Sequence, residues 1–131
     1  RRRLEEQYYL PNPIVLELMV KRSSDGSYLA VRDAKGRLSM IAGHLKRSEI
    51  FHESIGGAAQ RILGAAFGIN ASFTDVLDVS LDKRANKPTL RLIVALTVDD
   101  VAANVKPRKG WSWVHFSKLL SARDYPMLNY L

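Results

Sequence analysis

At 131 residues the chain has the length of one domain, and with 47% hydrophobic and 25% charged residues its composition supports a packed globular core. It has no cysteine, which excludes disulfides, cysteine-ligated zinc and thiol catalysis, and no apolar run approaches the roughly 20 residues of a membrane-spanning helix. The formal net charge of +7 suits phosphate-bearing partners, and the absence of cysteine fits a reducing, cytoplasmic compartment.

The start, Arg1-Arg2-Arg3-Leu4-Glu5-Glu6, is basic and then acidic rather than basic and then apolar, so it does not read as a secretion signal. Residues 1–12 are expected to form a basic N-terminal segment, and residues 13–131 the folded domain. The first residue is Arg rather than Met, which leaves room for other domains of a longer parent chain. Pro11-Asn12-Pro13 breaks regular structure, and Ile14 to Val20, apolar but for Glu17, reads as a well-buried strand. Ser23-Ser24-Asp25-Gly26 signals a turn into a second strand, Tyr28 to Arg32, which predicts a hairpin. Asp33 to Gly36 is another turn. A short strand from Leu38 to Ala42 ends at Gly43, and a polar loop runs from His44 to His52. A helix from Ser54 to Phe67 follows, with Ser54 as its cap and Gly68 where the backbone turns left-handed. Phe73 to Leu81 and Thr89 to Val98 read as strands around the loop 82–88. Trp111 to Phe116 reads as a last strand, and Ser117 as the start of a second helix that contains Leu119 and Leu120 and ends near Asp124. The order β-β-β-α-β-β-β-α predicts an α/β fold, a mixed sheet with helices packed on it.

The first helix is unusual. Gly56, Gly57 and Gly64 each cost about 1 kcal/mol in a helix interior, and after Glu53 the segment to Ile69 contains no acid. Packing of Ile55, Ala59, Ile62, Leu63 and Ala66 on the sheet is expected to hold it, and its small residues permit close approach of another surface.

Gly43-His44-Leu45, Glu53-Ser54, Ala58-Ala59, Arg61 and Phe67-Gly68-Ile69 together resemble the Nudix box, G-x5-E-x7-R-E-U-x-E-E-x-G-U with U aliphatic. Arg61 falls on the family arginine, and Glu53 on the first glutamate. The opening hairpin and the Trp113-Val114-His115-Phe116 segment before two leucines extend the resemblance over most of the chain, from Pro13 to Leu120. The resemblance implies a Nudix-like α/β/α sandwich with a mixed β-sheet. In that family the box acids hold a divalent metal, usually magnesium, on a nucleoside diphosphate derivative, where it activates water.

This chain departs from the pattern where the chemistry lies. The glutamate after the arginine is Ile62, and the paired glutamates are Ala65 and Ala66; none supplies the hard oxygen that magnesium requires. The two alanines fit either natural loss of the acids or their deliberate replacement, and Gly56 and Gly57 favour the first. The loop from Gly43 to Glu53 is four residues longer than the pattern; Glu49 fits the G-x5-E spacing, but the rest of the box then fails. The resemblance therefore implies a non-hydrolytic module that binds a nucleotide, a nucleotide-sugar, an RNA end or another phosphate-bearing small molecule, or acts in regulation. The ligand-binding candidates are Gly43, Lys46, Arg47, His52, Glu53 and Arg61. No metal site is expected, with Glu53, Asp99 and Asp100 as weak candidates. Two alternatives stay open: a magnesium-dependent hydrolase inactivated at 65 and 66, and a scaffold domain with the cleft unused.

Other features point less far. His44, His52 and His115 lack metal-site spacing. Trp111 and Trp113 share one strand face and suit core packing better than base stacking. Positive charge collects in three loops, at Lys46-Arg47, at Lys83-Arg84 with Lys87, and at Lys106 with Arg108-Lys109.

Overall fold

A computed structural model of the chain describes residues 13–32, 34–46, 52–68, 70–83, 88–98 and 110–119. The apolar run near the N-terminus becomes the central strand, β1 (Ile14–Arg22). Leu16, Leu18 and Val20 on one face, and Glu17 and Met19 on the other, are all buried, which explains a stretch without regular polar alternation. On one edge β1 pairs in parallel with β6 (Thr89–Val98), from Ile14↔Leu90 to Arg22↔Val98. Its other edge is shared. The first half pairs antiparallel with β4 (Ile41–His44), Leu16 lying opposite Gly43, and further along Lys21 lies opposite Tyr28 of β2 (Tyr28–Arg32). β3 (Leu38–Ser39) and β7 (Trp111–Val114) both pair with β2, and β5 (Ser72–Asp82) pairs with the outer edge of β6. The result is a mixed sheet of seven strands among the described residues, ordered β3-β2-β1-β6-β5 along its main path.

The two sheet faces carry different cores. Ile14, Leu16, Leu18 and Val20 of β1, with Leu92, Val94, Leu96 and Val98 of β6, lie on the face covered by α1 (Ile55–Phe67), which adds Ala58, Ala59, Ile62 and Leu63. Met19, Ala30, Met40, Ile93 and Leu119 form a second cluster. By strand alternation Glu17 and Arg91 belong to that second face. The Glu17 carboxylate is buried there and accepts from Arg91 Nε at 2.7 Å and from its Nη2.

The predicted hairpin forms and is well pinned. Arg22 Nε and Nη2 donate to the Asp25 carboxylate at 3.0 and 2.7 Å, and Ser23 Oγ donates to the Val98 carbonyl at 2.8 Å. The Arg22 bonds, helped by the Ser27 N–H at 3.0 Å, hold the Asp25 carboxyl well below the usual carboxylate range.

Three elements differ from expectation. The strand predicted over Leu38 to Ala42 is two strands, broken at Met40. β3 follows β2 while β4 follows β1, and Met40 between them turns into the second core. The last strand stops at Val114 rather than Phe116. The predicted second helix begins instead as a 3-10 turn over Phe116–Lys118, with Leu119 extended after it. His115 Nδ1 accepts from Ser117 N and lies 2.9 Å from Ser117 Oγ, so the His115 side chain ties the turn. Residues 120–124 of that expectation lie outside the described residues, as does segment 1–12.

Candidate functional site

The ends of a loop meet where β4 stops and α1 begins. Leu45 N still donates to Ile14 O, at 2.9 Å, so the β1–β4 ladder persists one step past His44. The chain leaves at Lys46 and is described again at His52. There Glu53 N donates to Lys46 O at 3.1 Å, and Lys46 N donates back to Glu53 Oε1 at 2.9 Å. Ser54 then caps the helix: its Oγ accepts from Gly57 N at 3.0 Å, satisfying one of the free donors of the first turn. At the other end Gly68 takes φ = 67° and donates its N–H to Gly64 O at 2.7 Å.

Arg61 closes the loop. Helix side chains lean toward the N-terminus, which carries the Arg61 guanidinium back two turns to Glu53. Nε donates to Glu53 Oε2 at 2.7 Å, and Nη2 donates to Glu53 Oε1 at 2.9 Å and to His44 O at 2.7 Å. One guanidinium thus joins the end of β4, the return of the loop and the helix. The Arg61 hydrogen bonds, helped by the Lys46 N–H, hold the Glu53 carboxyl below its ordinary range; the same pair raises Arg61. The Glu53 side chain is only 12% exposed, against 34% for Arg61.

Ile62 points the other way. It is 8% exposed and packs in the helix-side core. A β-carbon at Gly43 would lie 2.7 Å from Ile62 Cδ1 and Cγ1, so glycine at 43 is what lets this branched side chain seat against β4. Of the paired alanines, Ala65 is exposed and Ala66 is half-buried against the core.

Of the candidates read from the sequence, Lys46, Glu53 and Arg61 are brought together by hydrogen bonds, with Gly43 one residue from the His44 carbonyl that Arg61 reaches. His52 is exposed beside Glu53. Arg47, Glu49, Asp99 and Asp100 lie outside the described residues. So do Arg84 and Lys87 and all three cations of the 106–109 loop, which leaves Lys46 and Lys83 of the basic groups described. The sequence did not reveal that Lys46 would contribute its backbone, or that the His44 carbonyl would be a partner of Arg61; neither group has a side-chain signature. Both tryptophans pack against the helix-side core. Trp111 meets Phe67 edge to face at 4.8 Å, and the Arg22 guanidinium lies 4.9 Å from the Trp113 ring centre. The buried Trp113 Nε1 has no partner among the described residues.

A divalent metal does not fit this donor set. Ile62, Ala65 and Ala66 carry no oxygen, and the one box carboxylate already receives three N–H bonds. Among the described residues no three His, Asp or Glu side chains gather to hold a metal.

No protein-family model matches the sequence, and no curated protein matches it closely enough to count as a relative. Solved structures do match in fold. A MutT protein from Methanosarcina mazei Go1 superposes with a TM-score of 0.64 at 17% identity, covering 93% of this chain and 95% of that one. A mutT/nudix family protein from Listeria innocua gives 0.63 at 13%, covering 92% of each. The C. elegans Ap4A hydrolase gives 0.62 at 14%, covering 91% and 88%. Helix, loop clamp and mixed sheet together therefore make this chain a Nudix-like domain in fold.

Proposed function

We propose that the domain is a non-hydrolytic Nudix-fold module that binds a nucleoside diphosphate derivative, or another phosphate-bearing ligand, beside the loop between β4 and α1. The observation that carries this reading is the burial of Ile62 on Gly43. The position at which the box pattern has a glutamate is here committed to the hydrophobic core. With alanine at 65 and 66, no carboxylate of this helix is left to carry a metal or act as a base. The loop clamp survives and keeps Lys46 and His52, both exposed, near the mouth of the helix, where a positive group attracts phosphate without a metal.

A titration with labelled ADP, and with a short RNA, at two salt concentrations tests the reading. Binding of either that weakens steeply with salt is expected, because neutralising phosphates releases counterions. It should weaken further in Lys46→Ala with Arg47→Ala, with no phosphate released from nucleoside diphosphate derivatives in magnesium. Absence of binding to both ligands at low salt would overturn the reading and favour a scaffold role. A second reading is a magnesium-dependent hydrolase that lacks only its acids. It draws on the intact Glu53–Arg61–His44 clamp and on the name of the Ap4A hydrolase among the fold neighbours. Magnesium-dependent turnover on installing Ala65→Glu with Ala66→Glu would favour it.

A further inference from the structure

Opposite α1, the sheet bears a half-open cavity of about 220 Å³ between β2, β1, β6 and β5. Its lining is ordered in two rows. Met19 of β1 lies beside Ala95 of β6, and two residues further along both strands Lys21 lies beside Thr97. Lys21 is also opposite Tyr28 of β2. One row of the cavity is therefore apolar, and the next is Tyr28–Lys21–Thr97, three polar side chains abreast on three adjacent strands. At about 3.3 Å per residue, the rows stand roughly 6.6 Å apart.

β5 completes the wall in an unusual way. Its pairing with β6 slips twice, between Phe73 and Asp75 and between Val76 and Asp78, which leaves Thr74 and Leu77 as extra residues. Each bulge interrupts a ladder and re-aims a side chain. Both extra side chains line this same cavity, Leu77 joining the apolar second core and Thr74 donating its hydroxyl to the Ala95 carbonyl at 3.1 Å. Further along the strand Val79 and Leu81 gain no such shelter and stay 55% and 49% exposed.

Burial raises the Tyr28 phenol, which stays protonated and able to donate. Among the described residues no carboxylate pairs with Lys21, whose stem passes within contact distance of Gly26 in the hairpin turn.

From this geometry we infer that the cavity is a binding site for a small aromatic anion, its ring on Met19, Ala95 and Leu77 and its carboxylate or phosphate at Lys21, Tyr28 and Thr97. The cavity is smaller than the roughly 300–1,000 Å³ that holds drug-sized ligands, so a single ring with one charged group is the class that fits. The site lies across the sheet from the loop clamp and does not depend on what binds there.

Amide NMR titrations with phenyl phosphate, benzoate and uncharged benzyl alcohol test it. The two anions should shift the amides of Met19, Lys21, Tyr28, Ala95 and Thr97, and the better of them identifies the head group. Benzyl alcohol should bind at least about fivefold more weakly, since a charge-assisted hydrogen bond is roughly twice as strong as a neutral one. Lys21→Gln should abolish that preference while leaving benzyl alcohol unchanged. Ala95→Met, which fills the apolar row and whose own spectrum reports folding, should weaken all three ligands. No shifts at millimolar ligand, shifts confined to Lys46, Glu53 and Arg61, or an anion preference that survives Lys21→Gln would overturn the inference.

Discussion

Glu53 and Arg61 are eight residues apart and meet only because the cap at Ser54 sets where the helix begins. The pair gives the domain a defined response to acid. A carboxyl held low in the folded state contributes stability that is present above the unfolded carboxylate range, and that stability is lost as pH falls through the lower folded value. Glu53→Gln should therefore destabilise the domain by about 1–2 kcal/mol at neutral pH, allowing for partial exposure of Arg61. The two proteins should converge as pH falls below that range; chemical denaturation from neutral pH to pH 3 would show it, and a pH-independent difference would deny the pair this role. Ile62 and Ala65 should respond oppositely to the same change. Ile62→Glu forces a carboxylate into the core beside Gly43 and should cost more than about 2 kcal/mol. Ala65→Glu, at an exposed helical site, should stay within about 0.5 kcal/mol. Melting curves of the two variants provide the comparison. The box spacing made Glu53, Arg61 and the loss of acids legible. Helical spacing also placed Ile62 on the sheet, but it did not show that Gly43 makes the room for it, because that depends on how closely β4 approaches α1.

Helix α1 is the element whose sequence looked least able to support it. Its ends were nonetheless plain in the sequence, because capping is local chemistry: a serine oxygen over the first turn and a glycine at positive φ after the last. Its interior is held by Ala58, Ala59, Ile62 and Leu63 on the sheet. Gly64 is the weak point. Among the described residues a β-carbon there meets nothing within 4 Å, so none of them keeps it a glycine by packing. Gly64→Ala should stabilise by about 0.5–1 kcal/mol, raising the melting temperature by a few degrees. A loss of stability would mean that something occupies that groove. The break at Met40 was hidden for the opposite reason. Leu38 to Ala42 has the pattern of one strand, but its two halves pair with different partners, and nothing within five residues states which edge each will find. The 3-10 turn at Phe116–Lys118 depends likewise on a bond from His115 that periodicity does not encode.

At the level of the whole molecule, the central strand decides stability. Leu16 is fully buried beneath α1, between β4 and β6. Leu16→Ala should cost about 2–5 kcal/mol and unfold both cores together. Tryptophan fluorescence reports the helix side through Trp111 and Trp113, and the NMR signals of Met19 and Met40 report the other; separate transitions would contradict a single cooperative unit. The sequence displayed the mixed character of the sheet through its element order, and the centrality of β1 through an apolar run interrupted by Glu17 alone. The two bulges of β5 escaped notice, because an alternating strand looks the same with or without an inserted residue.

The parallel union of β1 with β6 also imposes an order in time. Ile14 finds its neighbour in Leu90 and Arg22 finds its own in Val98, so β1 leaves the ribosome well before the strand that completes it. At roughly 5–20 residues per second, its apolar edge waits several seconds for a partner still being synthesised. A nascent chain stalled at Lys83 should therefore be protease-sensitive and prone to capture by chaperones, whereas one in which residue 98 has cleared the exit tunnel should resist digestion. In the living cell the hazard for this protein is concentrated in that interval.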